Sequence, residues 1–207
     1  MTYSGEYLVK LARSTIESYL KSRIKIQIPN NAPKDLFDQS GTFVTLHRIN
    51  KKSKVPELRG CIGRIESPNS TLIQSTIDSA IDAAVHDPRF PPLELEEMKS
   101  ITVEVTILTV PKLLNVKDPQ EYLNLIKIGK HGLIAERGPY QRGLLLPQVP
   151  VEQKWDLLTY LGYVCMKAHL PNNAWKDINT KISCFEGLIF SEETPNGTII
   201  QKQIKED

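Results

Sequence analysis

The chain has 207 residues, 40% hydrophobic and 24% charged, a composition that excludes a disordered chain and lets one domain or two small ones bury a core. Its 26 basic residues nearly balance 24 acidic ones, so the net charge of +2 supplies no strong field toward nucleic acid or a membrane surface. Three cysteines with no CxxC pair exclude a disulfide framework and a zinc site of the usual spacing.

The N-terminal residues lack a charged region followed by an apolar stretch, and the apolar runs are too short to span a bilayer. The expectation is a soluble, cytoplasmic protein.

In chain order, Tyr7, Leu8, Leu11, Ile16, Tyr19 and Leu20 recur at spacings of three and four and predict an amphipathic helix over 5–23, with Ser4 as N-cap. Residues 41–49 and 57–65 read as two strands joined across the loop Lys51-Lys52-Ser53-Lys54, a solvated turn. Ser67-Pro68-Asn69-Ser70 announces a second helix, whose buried stripe runs from Leu72 to Val85 and must stop near His86, because Asp87-Pro88 cannot continue it. Residues 101–109 alternate, with Ile101, Val103, Val105 and Ile107 on one face and Thr102, Glu104, Thr106 and Leu108 on the other.

Beyond Pro111 the pattern changes. A short helix near 118–126, strands at 131–136 and 143–146, and a long helix over about 151–168 burying Trp155, Leu158, Leu161 and Cys165 are expected. Residues 181–190 and 198–204 return to strand composition. The resulting reading is an α+β protein with a discontinuous larger subdomain, 1–111 plus 181–207, and a smaller one, 112–180, inserted between.

The densest chemical information lies in Leu58-Arg59-Gly60-Cys61-Ile62-Gly63, followed by Arg64. In an extended segment Arg59, Cys61 and Gly63 share one face. A guanidinium beside a thiol favours the thiolate, Gly63 leaves space beside the sulfur, and the N–H groups around Gly60 and Gly63 could form a small anion-holding nest. The same hexapeptide also fits a small buried thiol in a tight strand.

This hexapeptide is one of several motifs in register along the chain. The others are His86-Asp87-Pro88-Arg89-Phe90-Pro91-Pro92-Leu93, the strand Ile101 to Leu108, Gly129-Lys130-His131-Gly132-Leu133, Gly143 to Val149, Trp155, and Cys165 through Lys167. Together they resemble the AMMECR-one domain family over nearly the whole chain. The resemblance implies two α+β subdomains, each a largely antiparallel sheet with helices packed on it, and a cleft between them. It also implies a site built from the hexapeptide and the histidine and glutamate of the next two motifs, here Cys61, His86 and Glu104. Some relatives occur beside or fused to Memo-like and radical-SAM proteins, which implies a shared metabolic task and names no reaction.

Each candidate carries two readings. Cys61 is a nucleophile or a small core residue; His86 is an acid–base group or a helix-end cap. Asp87 is a turn former or a catalytic carboxylate, and Arg89 binds an anionic substrate or pairs with Asp87. Glu104 is functional if both sheet faces are covered and ordinary if its face is wet. Cys165 and His169, four apart, share one helical face and can grip a metal, but no second pair of ligands presents itself and core packing is the better account. Lys130 and His131 form a turn or line the cleft, the turn being the default reading.

Two functions follow. One is an enzyme acting on a small polar or anionic substrate in the cleft between the subdomains, with Cys61 as nucleophile or as a soft metal or cofactor contact, His86 as acid–base partner, Glu104 as orienter or second proton carrier, Arg59 stabilising the thiolate, and Gly60, Gly63 and Arg89 lining the substrate. The other is a binding or adaptor module for a protein or RNA partner. The residues specify no cofactor, no metal and no oligomeric state.

Overall fold

A computed structural model describes residues 4–50, 55–65 and 70–202. Every strand pairing in it with an assigned register is antiparallel, and helices pack on the strands, so the protein is α+β. Contacts group the described chain into two compact units, residues 4–108 with 188–202, and residues 109–187.

The larger unit begins with helix α1, Gly5–Ser22, which buries Leu8, Val9, Leu11, Ala12 and Ile16. Ser4 stands at its N-cap without capping through its side chain, since both its N–H and its hydroxyl bond Asp35. Strands β1 (Thr42–Ile49) and β2 (Pro56–Arg64) form the expected hairpin, whose lysine loop lies outside the described residues. Helix α2, Leu72–Val85, is capped by the Thr71 hydroxyl, which accepts the Gln74 N–H at 3.4 Å. The Ser-Pro-Asn segment expected to start that helix is also outside the described residues. After α2 come a 3-10 turn, Leu95–Ser100, and strand β3, Ile101–Leu108.

The strands form one eight-stranded sheet in which β2 is an edge strand, followed by β1 and β3. One face, carrying Val44, Leu46, Val103, Val105 and Ile107, is fully buried in the cluster that contains α1 and α2. Each such side chain contributes roughly 1.5–3 kcal/mol on leaving water. A buried ion pair closes this core: Arg13 on α1 reaches Glu192, with Nε to Oε1 at 2.5 Å, and Arg13 also donates to the Ile101 carbonyl at 2.6 Å.

The smaller unit holds strand β4 (Lys112–Leu113), helix α3 (Tyr122–Leu125), strands β5 (His131–Arg137) and β6 (Gln141–Leu145), and helices α4 (Gln148–Glu152) and α5 (Leu157–Lys167). Strand β7, Lys181–Glu192, pairs with β5 through its first residues and with β8 (Ile199–Lys202) through its last, so the unit boundary falls inside a strand. Composition gives no sign of a boundary so placed. Leu133, Tyr160, Leu161, Val164, Cys165 and Ile182 form this unit's own core.

The long helix expected over 151–168 is two helices. The chain breaks at Lys154, whose φ of 53° is left-handed, and α5 restarts from Asp156, which accepts the Thr159 N–H at 2.8 Å. Trp155 lies in the break, half-buried and stacked on Tyr163 at 4.1 Å between ring centroids. Leu158, expected inside, is exposed because the restart turns it outward.

Candidate functional site

Cys61 sits on the edge strand opposite Thr45 of β1, and Thr45 is in turn opposite Glu104 of β3. Residues opposite one another share a face, so Cys61, Thr45 and Glu104 form a row across three strands on the face opposite the aliphatic core. The next row is Leu58, His47 and Thr102, and the one on the other side is Gly63, Phe43 and Thr106.

A register shift interrupts the hairpin: Leu46 faces Gly60 while His47 faces Leu58, leaving Arg59 without an opposite residue. Leu58, rather than Arg59, therefore shares the Cys61 face, which corrects the simple alternation. The Arg59 side chain is buried and pairs with Glu97 through two bonds, Nε to Oε1 at 3.1 Å and Nη2 to Oε2 at 3.0 Å. Glu97 also accepts from Arg48 and from the Glu94 N–H. Burial opposes the charge on Glu97, yet these hydrogen bonds hold its carboxyl below its ordinary range.

The free edge of β2 is covered by side chains in place of another strand. The Cys61 N–H donates to Asp87 Oδ2 at 2.8 Å, and Arg89 Nη2 donates to the Cys61 carbonyl at 3.1 Å. Asp87 and Arg89 are locked together, Nε to Oδ1 at 2.9 Å and Nη2 to Oδ2 at 2.7 Å, and Asp87 Oδ1 also accepts the Arg89 N–H. A carboxylate for the strand's N–H and a guanidinium for its carbonyl reproduce what a neighbouring strand would offer. The Arg89 hydrogen bond, against burial and aided by the Cys61 and Arg89 N–H groups, holds the Asp87 carboxyl well below the usual range. Arg89 is raised chiefly by Asp87, with smaller contributions from Cys61.

The two glycines are packing requirements. A Cβ on Gly60 would lie 2.1 Å from the Ala83 carbonyl oxygen of α2, and one on Gly63 would lie 2.3 Å from the Phe43 ring. The space that Gly63 leaves is thus occupied by an aromatic ring. Neither glycine has a positive φ, and the Cys61 N–H is already taken by Asp87, so the expected anion nest does not form.

The half-buried Cys61 thiol receives a hydrogen bond from the Thr45 hydroxyl at 3.3 Å. Glu104, largely buried, pairs with Lys202 of β8, Oε2 to Nζ at 2.7 Å. Both faces of its strand are covered, and its charge is paired. Burial lowers the His47 pKa; Lys202 lowers it further and Glu104 opposes.

His86 is elsewhere. It ends α2 with its ring exposed, Nδ1 held 2.8 Å from Asp82 Oδ1. Asp82 is shared with Arg64, which also bonds Ser79 of α2. Burial opposes the Asp82 charge, but the bonds from His86 and Arg64 hold its pKa down. The Arg64–Asp82–His86 group therefore lies on the α2 side of the sheet, whereas the thiol lies on the other.

Among the remaining candidates, His131 Nδ1 accepts the Lys127 N–H, closing a turn that Gly129 enters with a φ of 77°. Cys165 is buried within α5, while His169 lies past the helix end with a φ of 59°, so the two share no helical face. Burial pushes the Cys165 thiol up to about 11. No group of three His, Cys, Asp or Glu among the described residues is placed to hold a metal ion.

Thr45, His47, Glu97 and Lys202 belong to this constellation and escape a reading of motifs. Thr45 and His47 become visible once the hairpin register is known, and Glu97 through its capping box with Glu94. All residues of the constellation belong to the larger unit.

Fold and site define an α+β protein whose edge strand carries a clamped Arg-Gly-Cys segment. The AMMECR1 family model matches residues 9–190, and the chain belongs to that family. It is 50% identical over 200 residues to Protein MJ0810 of Methanocaldococcus jannaschii, covering 97% of this chain and 96% of that one. To Protein PH0010 of Pyrococcus horikoshii it is 48% identical over 200 residues, 97% of this chain and 95% of that protein. The crystal structure of the uncharacterized protein PH0010 is similar with a TM-score of 0.81 over 96% of each chain. No helix among the described residues is long and apolar enough to cross a membrane.

Proposed function

We propose that Cys61 is the nucleophile of an enzymatic site on the face of the larger unit's strands opposite the aliphatic core, acting on a small polar or anionic molecule. One observation carries this reading. The half-buried thiol lies on a face with polar neighbours, while its own N–H and carbonyl are fixed by Asp87 and Arg89. A nucleophile needs a fixed position and a charge environment that favours its anion, and Arg89 supplies cationic charge next to it. Glu104, with Lys202 beside it, serves as orienter or second proton carrier. Arg59 acts at a distance, by fixing the bulge through Glu97.

A second reading is favoured by a separate observation. Arg59, Asp87 and Arg89 are all paired internally, and both glycines are demanded by packing. A motif so fully used by the fold suits a rigid binding or adaptor module for a protein partner, in which Cys61 is structural.

The pH dependence of Cys61 alkylation by iodoacetamide separates the two, with Cys165 and Cys184 changed to alanine in a protein shown to remain folded. The enzymatic reading expects rapid labelling with a midpoint well below the free-thiol value of about 8.5. Labelling that requires unfolding would establish the structural one.

A further inference from the structure

The outer face holds a histidine that neither the hexapeptide nor the following motif reveals. His47 of β1 is two residues from Thr45 and therefore on the same face, diagonal to Cys61 on one side and to Glu104 on the other. Diagonal neighbours in an antiparallel pair are about 7–8 Å apart, within reach of aromatic and long side chains, and on the β2 side the bulge at Arg59 lies between the His47 row and the Cys61 row. Cysteine, histidine and glutamate thus come from three adjacent strands, with the histidine in the middle. His86, by contrast, is bonded to Asp82 on the α2 side of the sheet.

We propose that His47 is the general base that takes the Cys61 thiol proton, with Glu104 orienting the imidazolium so formed. The assignment rests on the reading of Cys61 as nucleophile. The proton leaves Sγ for the neutral imidazole, the electron pair stays on sulfur, and a neutral pair becomes a thiolate–imidazolium pair without any co-reactant.

The surroundings of His47 suit that task. Glu104 from β3 and Lys202 from β8 act on its charge, uncharged Leu58 and Thr102 lie directly opposite it, and Cys61 of β2 stands one row along the same face. Burial, aided by Lys202, keeps the ring neutral and hence able to accept a proton, while Glu104 favours the charged form once it exists. Thr45, between the two partners, donates its hydroxyl to Sγ and steadies the thiolate.

The test compares alkylation midpoints of Cys61 in the Cys165→Ala, Cys184→Ala parent and in the same protein carrying His47→Gln or His86→Gln. His47→Gln should raise the midpoint by about one pH unit and slow labelling at pH 7 about tenfold, and His86→Gln should label like the parent. A second readout needs no histidine substitution. Followed by NMR in the parent, alkylation of Cys61 should move the His47 titration and leave that of His86 in place. A low parent midpoint that His47→Gln leaves unchanged, or a His47 titration indifferent to alkylation, overturns the assignment alone. A parent midpoint at the free-thiol value overturns both the nucleophile and its base.

Discussion

Gly60 is held to glycine by one oxygen atom. The Ala83 carbonyl of α2 stands where a Cβ would be, and it is backbone, which cannot rotate away. Gly60→Ala must push α2 from the sheet or distort the bulge, at a cost typical of overpacking, about 1–3 kcal/mol. Urea unfolding should show that loss in the midpoint with an unchanged slope. The residue scale is also where the sequence is most informative and most misleading. Cys61, Arg59 and Arg89 announce themselves, yet alternation places Arg59 beside the thiol, and one bulge sends it to Glu97 instead. A register shift of one residue has no local signal in Leu58-Arg59-Gly60.

At the scale of elements, an edge strand is finished by a turn. Asp87 and Arg89 satisfy the Cys61 N–H and carbonyl, so the segment after α2 serves as a strand for β2. Asp87 is lowered in the folded protein, so its contribution is complete above the unfolded carboxylate value of about 3.9 and is lost as pH falls from there toward the folded value. Asp87→Asn should therefore lose less stability than the wild type between pH 7 and pH 3. Urea midpoints at the two pH values check it, and an equal loss in both proteins would remove Asp87 from the clamp. Elements with strong periodicity, α1, α2 and β3, are legible to within a few residues. The break between α4 and α5 is not, because Gln153, Lys154 and Trp155 carry no glycine or proline and the stop is made by a left-handed lysine.

Across the whole molecule, the α+β class and the family are legible because several motifs lie in register. The pairing of distant residues is not. Lys202 meets Glu104, and Arg13 meets Glu192, through sheet order and helix packing that no local pattern encodes. Both cores nevertheless contain, or sit beside, a cysteine whose environment is now specified. Cys61 is half-buried beside Thr45 and Arg89. Cys184 is half-buried with its thiol raised, chiefly by burial and then by Glu186. Cys165 is sealed in the smaller core with its thiol raised to about 11.

Iodoacetamide labelling of all three cysteines in the native wild-type protein, followed by peptide mass, tests whether Cys61 is presented while its main chain is clamped. The expected order is Cys61, then Cys184, with Cys165 labelled only on unfolding. Labelling of Cys61 only together with Cys165 would contradict it.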